Sequence, residues 1–187
     1  MITKNSWEIL KREQKKLDKL IYQQRTIDLD WNSLVNAERL KLNILVEIGE
    51  FANELKTFKL WRNKKEVDLA KAKEELIDCL CFFLGLCNMY KINFLEQIFQ
   101  ILNKDLSFND LLLAFFSKTN NLFIEKSENA YKSENIEFNK EEISTYHNWL
   151  QIFNEINLRL GINEEELVNI YKQKNEINHQ RVRLGGH

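Results

Sequence analysis

The sequence predicts an all-α protein with a four-helix-bundle core and additional helices. Three observations carry that prediction. The 187 residues contain no proline and only five glycines, so little in the chain breaks a helix. Leu, Ile, Glu and Lys, which sit comfortably in helices, are abundant. No strand-like alternation of apolar and polar residues persists anywhere. The length suffices for one sizeable core, so residues 1–187 are read as a single domain. Hydrophobic residues make up 44% of the chain, which argues against disorder.

The first helix is expected to start near Asn5, with Glu8 as a capping partner and Trp7, Leu10, Leu17 and Ile21 at helical spacing. A loop follows at Ile27–Asp30. Asp30 or Ser33 caps a second helix that runs to about Thr57, with a stripe of Leu34, Leu42, Leu45, Ile48, Ala52 and Leu55. After a break near Trp61–Lys64, a third helix spans Val67–Tyr90. Its second half, LIDCLCFFLGLCNMY, is apolar almost all round, the pattern of a buried central helix. Further helices are expected at Phe94–Leu102, Phe108–Phe123, Glu141–Leu160 and Glu164–Asn178. The polar stretch Glu125–Lys140, EKSENAYKSENIEFNK, reads as a mobile loop.

Composition excludes several classes. The net charge is -1, from 27 basic and 28 acidic residues, which gives no electrostatic footprint for nucleic acid. The longest apolar run, Cys79–Leu86, is too short to span a membrane. The N-terminal stretch lacks the apolar core of a signal peptide. Cys79, Cys81 and Cys87 fall in one apolar helical segment and read as reduced, buried thiols of a cytoplasmic protein. Zinc ligation is the sharper alternative, but Cys79 and Cys81 would point about 200° apart on a helix.

Chemistry concentrates in two acidic pairs. Glu47 and Glu50 project from one face of the second helix, and Glu54 returns to that face seven residues on. Glu75 and Asp78 repeat the spacing on the third helix. Glutamates three apart are commonly a solvated face. Asp78 points elsewhere, because CLCFFLGL follows it and a carboxylate in such a run needs a partner. If the two helices pack antiparallel, the pairs face each other, and like charges so close require a cation. Oxygen-only donors select Mg²⁺ or Mn²⁺. A di-iron bundle would need Glu-x-x-His on two helices, which is lacking here. Such a magnesium cluster usually serves phosphate chemistry.

The pairs Glu47-Ile-Gly-Glu50 and Glu75-Leu-Ile-Asp78, with 24 residues between them, resemble the all-α nucleoside triphosphate pyrophosphohydrolases, which include MazG-type enzymes and dimeric dUTPases. Within that group the chain is most similar to the dimeric dUTPases. The blocks Gln14-Lys15-Lys16-Leu17-Asp18, Phe58-Lys59-Leu60-Trp61, Cys81-Phe82-Phe83-Leu84 and Tyr171-x-x-Lys174-x-x-x-Asn178-x-x-Arg181 carry that choice. The resemblance spans residues 7 to 183.

The resemblance implies hydrolysis of dUTP to dUMP and pyrophosphate, with dUDP as a further candidate substrate, by a homodimer. It implies that Glu47, Glu50, Glu75 and Asp78 hold Mg²⁺, and that Glu47, with Glu50 beside it, serves the attacking water. Lys174, Asn178 and Arg181, at i, i+4 and i+7, become a phosphate clamp; their spacing alone fits a solvated face equally well. Gln14, Asp18 (where the family often has Asn), Lys59, Trp61 and Phe83 become candidates for nucleotide contacts, with Phe83 as a wall against the ribose 2′ position. Trp61 and Phe83 also suit a plain core role. An apolar surplus on the third helix and at Leu111–Phe116 agrees with a dimer. Two other readings stand beside this one: a broader MazG- or dCTPase-like pyrophosphohydrolase, and a non-enzymatic helical dimer whose acidic helices bind a partner.

Overall fold

The structure is a computed structural model that describes residues 2–24, 27, 30–61, 67–93, 105–124 and 138–185. Among these residues every regular element is a helix: α1 (Lys4–Gln24), α2 (Leu34–Leu55), α3 (Leu69–Met89), α4 (Phe108–Asn120), α5 (Lys140–Arg159) and α6 (Glu164–Arg183). The all-α expectation holds. The expected helix at Phe94–Leu102 and most of the Glu125–Lys140 loop lie outside the described residues.

Local chemistry sets the ends. Ser33 caps α2 through its hydroxyl, which accepts from Asn36 N, and Lys56 closes it in the left-handed region at φ 58°. Asp68 caps α3. Ser107–Asp110 and Asn139–Glu142 form reciprocal capping boxes at α4 and α5. Helix α6 runs five residues past the expected Asn178, to Arg183, since no breaker intervenes before Gly185.

Helices α2 and α3 form the central pair. Glu54 near the end of α2 is ion-paired with Lys71 at the start of α3, while Glu47, earlier in α2, converges with Asp78, later in α3. The two helices therefore run antiparallel. Helices α1 and α6 pack on one side of α3, and α4 joins α2 to α5. The buried face of α2 is Leu40, Ile44, Ile48, Phe51 and Leu55. Leu42, expected on that face, is 59% exposed with Val46 beside it at 49%. Helix α2 thus carries two apolar stripes, and only one of them meets α3.

Helix α3 spends its apolar surplus inside this chain rather than on its surface. Phe83 has no exposed surface and stacks on Trp149 of α5 at 3.9 Å and 8°. Trp149 continues the stack to Phe153, meets Phe115 of α4, and donates its indole N–H to Thr119 Oγ1 at 2.9 Å. Leu111, Leu112 and Phe115 are likewise buried, leaving Leu113 exposed. No helix among the described residues is long and apolar enough to cross a membrane.

Candidate active site

The antiparallel α2–α3 pair brings three carboxylates together. Oxygens of Glu47, Glu75 and Asp78 all lie within 4.8 Å of one another. Burial, then the charges of Asp78, Glu50 and Glu75, push the Glu47 carboxyl from 4.5 to about 7. Burial raises Glu75 and Asp78 as well, against the pull of Lys174. Three clustered oxygen donors that resist ionising together suit a hard divalent cation, whose charge would favour the carboxylate forms. Glu50 is not among the three: its side chain is exposed at the rim, close enough for its charge to act on all of them. Glu54 stands apart, bonded to Lys71 at 3.4 Å.

Helix α6 supplies the cation that the sequence placed on its stripe. Lys174 Nζ lies 2.7 Å from Asp78 Oδ2 and 3.9 Å from Glu74 Oε2. Burial pulls the ammonium down, but the hydrogen bond to Asp78 and the surrounding carboxylates outweigh it and hold Lys174 above its ordinary value. Asn178 is half-buried one turn on, and Arg181 is exposed.

Gln14 and Asp18 sit in a buried polar network that joins α1 to α6. Gln14 Nε2 donates to Asp18 Oδ1 at 2.9 Å, and the Tyr171 hydroxyl donates to Gln14 Oε1 at 3.1 Å. Asn175 Nδ2 donates to the Tyr171 oxygen at 3.4 Å. Asp18 Oδ2 is buried without a hydrogen-bond partner. It lies 3.8 Å from where a Cβ on Gly85 would stand. Gly85 follows Asp78 by two helical turns on the same face of α3, about 10 Å along the axis. The Cys81 thiol lies between the two groups and feels both Asp78 and Asp18. The acidic cluster and the Gln14–Asp18 pair are therefore neighbours along one helix face.

Sequence reasoning missed Tyr171, Asn175 and Gly85 as parts of this network. Tyr171 was legible only as a member of the C-terminal block, and Gly85 only as a missing side chain in an apolar run. The aromatic candidates fare differently. Phe83 is enclosed in the aromatic stack and presents no face to a sugar, so the expected ribose wall is not this residue. Trp61 is 80% exposed and Leu60 91%. Lys59 turns back to Asn53 and over the Phe58 ring. The block after α2 thus folds partly on itself, with Leu60 and Trp61 in solvent. Cys79, Cys81 and Cys87 are free and buried, with burial raising all three thiols. That fits packing rather than zinc ligation.

A family model described as dUTPase matches residues 6–185. No curated protein matches the chain. The match covers both acidic pairs, the Gln14–Asp18 pair and the Lys174 stripe, and nothing favours the MazG-like alternative. The chain belongs to the all-α dUTPase family, whose activity is the hydrolysis of dUTP to dUMP and pyrophosphate.

Proposed function

We propose that dUTP hydrolysis here is Mg²⁺-dependent, with Mn²⁺ as a substitute, and that Glu47, Glu75 and Asp78 hold the ion with Glu50 completing the set from the rim. The observation that carries this reading is the convergence of the three carboxylates within 4.8 Å on the two central helices. A bound Mg²⁺ would neutralise charge developing on the triphosphate and acidify a coordinated water. The protein's own share is position and charge. Glu47 orients the attacking water and receives its proton. Lys174 donates to phosphate oxygens as a point charge, and Arg181 with Asn178 extends that clamp along α6. Gln14 and Asp18 offer an amide N–H and a free carboxylate oxygen to the base edge. Lys59, half-buried, and Trp61, exposed, follow α2 and are the residues proposed to close over the nucleotide.

The test is pyrophosphate release from dUTP, dCTP, dTTP and UTP with and without Mg²⁺. Turnover confined to dUTP and dependent on Mg²⁺ is expected. Equal rates on dUTP and dCTP would overturn the base assignment, and full activity in chelator would overturn the metal.

We infer a homodimer in a cytoplasmic, reducing setting. The second apolar stripe of α2, with Val35, Leu42 and Val46 at 59%, 59% and 49% exposure, supports the dimer, and three free buried thiols support the setting. Leu42→Glu combined with Val46→Glu is expected to convert the dimer to a folded monomer in sedimentation velocity. A wild-type chain that sediments as a monomer at micromolar concentration sinks the proposal.

A further inference from the structure

Asp78 is the object of two claims. Lys174 Nζ bonds its Oδ2 at 2.7 Å, with only 16% of either side chain exposed. The same carboxylate belongs to the triad whose oxygens converge within 4.8 Å. An ammonium and a hard divalent ion seek the same lone pairs and repel each other at that range. Lys174 reaches the cluster from α6, whereas the triad belongs to α2 and α3, so the lysine can withdraw without disturbing the carboxylates. Its four-carbon stem lets Nζ leave Asp78 while the helix stays in place.

The geometry points to an exchange: Lys174 and the divalent cation compete for Asp78, and the phosphates of the nucleotide relieve the competition by taking up the lysine. This rests on the reading of Lys174 as a phosphate ligand. Its consequence is coupled binding. The cation binds the protein alone weakly and the nucleotide-loaded protein tightly, and by linkage the cation strengthens the nucleotide in equal measure. Lys174 is then a positioning residue for the cation as well as a contact for the substrate. Asp78 changes partner twice in each cycle, to the cation on loading and back to Lys174 on release.

Calorimetric titration of the full chain with Mn²⁺ alone tests the exchange. Lys174→Met is expected to tighten Mn²⁺ on the order of tenfold, because no resident cation has to be displaced. Lys174→Gln, uncharged but still able to donate to Asp78, should move in the same direction. Lys71→Met is the control. Lys71 acts on Glu75 through space but bonds Glu54 at 3.4 Å rather than the triad, so its loss should change Mn²⁺ affinity by less than about twofold. Unchanged or weaker Mn²⁺ binding in both Lys174 variants overturns the exchange. Equal tightening in Lys71→Met also overturns it, since the effect would then be a general field. Binding of inorganic pyrophosphate without metal separates this inference from the reading beneath it. Lys174→Met should weaken pyrophosphate by about fivefold or more. Unchanged pyrophosphate binding removes Lys174 from the phosphate clamp and the exchange with it. Weakened pyrophosphate with unaltered Mn²⁺ affinity removes the exchange alone.

Discussion

Asp78→Asn is expected to lower kcat for dUTP on the order of a thousandfold, equivalent to about 4 kcal/mol of transition-state stabilisation, while helicity stays intact. The asparagine keeps the shape and one acceptor but removes the charge at the point where α2, α3 and α6 meet. In the native chain Asp78 is raised by burial and held charged by Lys174. Without it Glu47 and Glu75 remain as a pair, and Lys174 loses its 2.7 Å partner. Mg²⁺ with a bound nucleotide is expected to raise the melting temperature of the native chain, and that rise should disappear in the variant. The melting temperature in chelator should change little, because a like-charge repulsion and an ion pair vanish together. Glu50→Gln provides the comparison, since Glu50 lies outside the converging triad. A smaller loss there would assign it to the rim of the site, and a loss as large as that of Asp78→Asn would make it a full ligand. Near-native turnover in Asp78→Asn would sink the metal assignment altogether.

The parts of this site that were legible in the sequence are those fixed by position along one helix or by an energetic contradiction. Glu47 and Glu50, and likewise Glu75 and Asp78, could be placed on one face from spacing alone. Asp78 betrayed a partner because a carboxylate followed by CLCFFLGL has to be compensated. The parts that were not legible depend on how helices distant in sequence meet. An aromatic residue after an acidic motif can line a substrate or fill a core, and nothing local distinguishes the two. Phe83 went to the core because Trp149 of α5 stacks on it. Trp61 went to the surface because the chain turns out of α2 at Lys56. The Tyr171–Gln14 bond spans 157 residues of sequence, so no pattern within α1 or α6 announces it. Leu42 looked like core because α2 has two apolar stripes and periodicity cannot say which one finds a partner inside the chain.

Asp18→Asn is expected to stabilise the metal-free protein by about 2 kcal/mol at pH 8, raising its melting temperature by about 5 °C. Burial pushes Asp18 from 3.8 to about 7, only partly offset by the Gln14 hydrogen bond and the charge of Arg39. Each tenfold change in proton affinity is worth about 1.4 kcal/mol, so keeping this carboxylate ionised above pH 7 costs the fold about 4 kcal/mol. Asparagine removes that cost, can still accept from Gln14, and leaves one buried N–H to be satisfied, which takes back part of the gain. The sign is opposite to that of a salt-bridged carboxylate. Between about pH 4 and pH 7 the folded state holds a proton that the unfolded state has released, so stability falls as pH rises through this window. Below pH 4 both states are protonated and that gain is gone, so the asparagine variant should be the less stable of the two by about the 2 kcal/mol that its buried N–H costs. Glu47, Glu75 and Asp78 are raised by the same cause and add to the native slope, so the difference between Asp18→Asn and wild type isolates the contribution of Asp18. Urea unfolding in chelator at pH 4 and pH 8 measures it. An asparagine variant less stable than wild type at pH 8 would show that Asp18 is held charged by a partner, with Arg39 the first to be examined. A buried carboxylate with one oxygen unpartnered, kept beside an amide that is itself fixed by Tyr171, weakens the fold where it stands. That cost to the fold supports the proposed place of Asp18 at the base edge, because groups kept against stability cluster at functional sites.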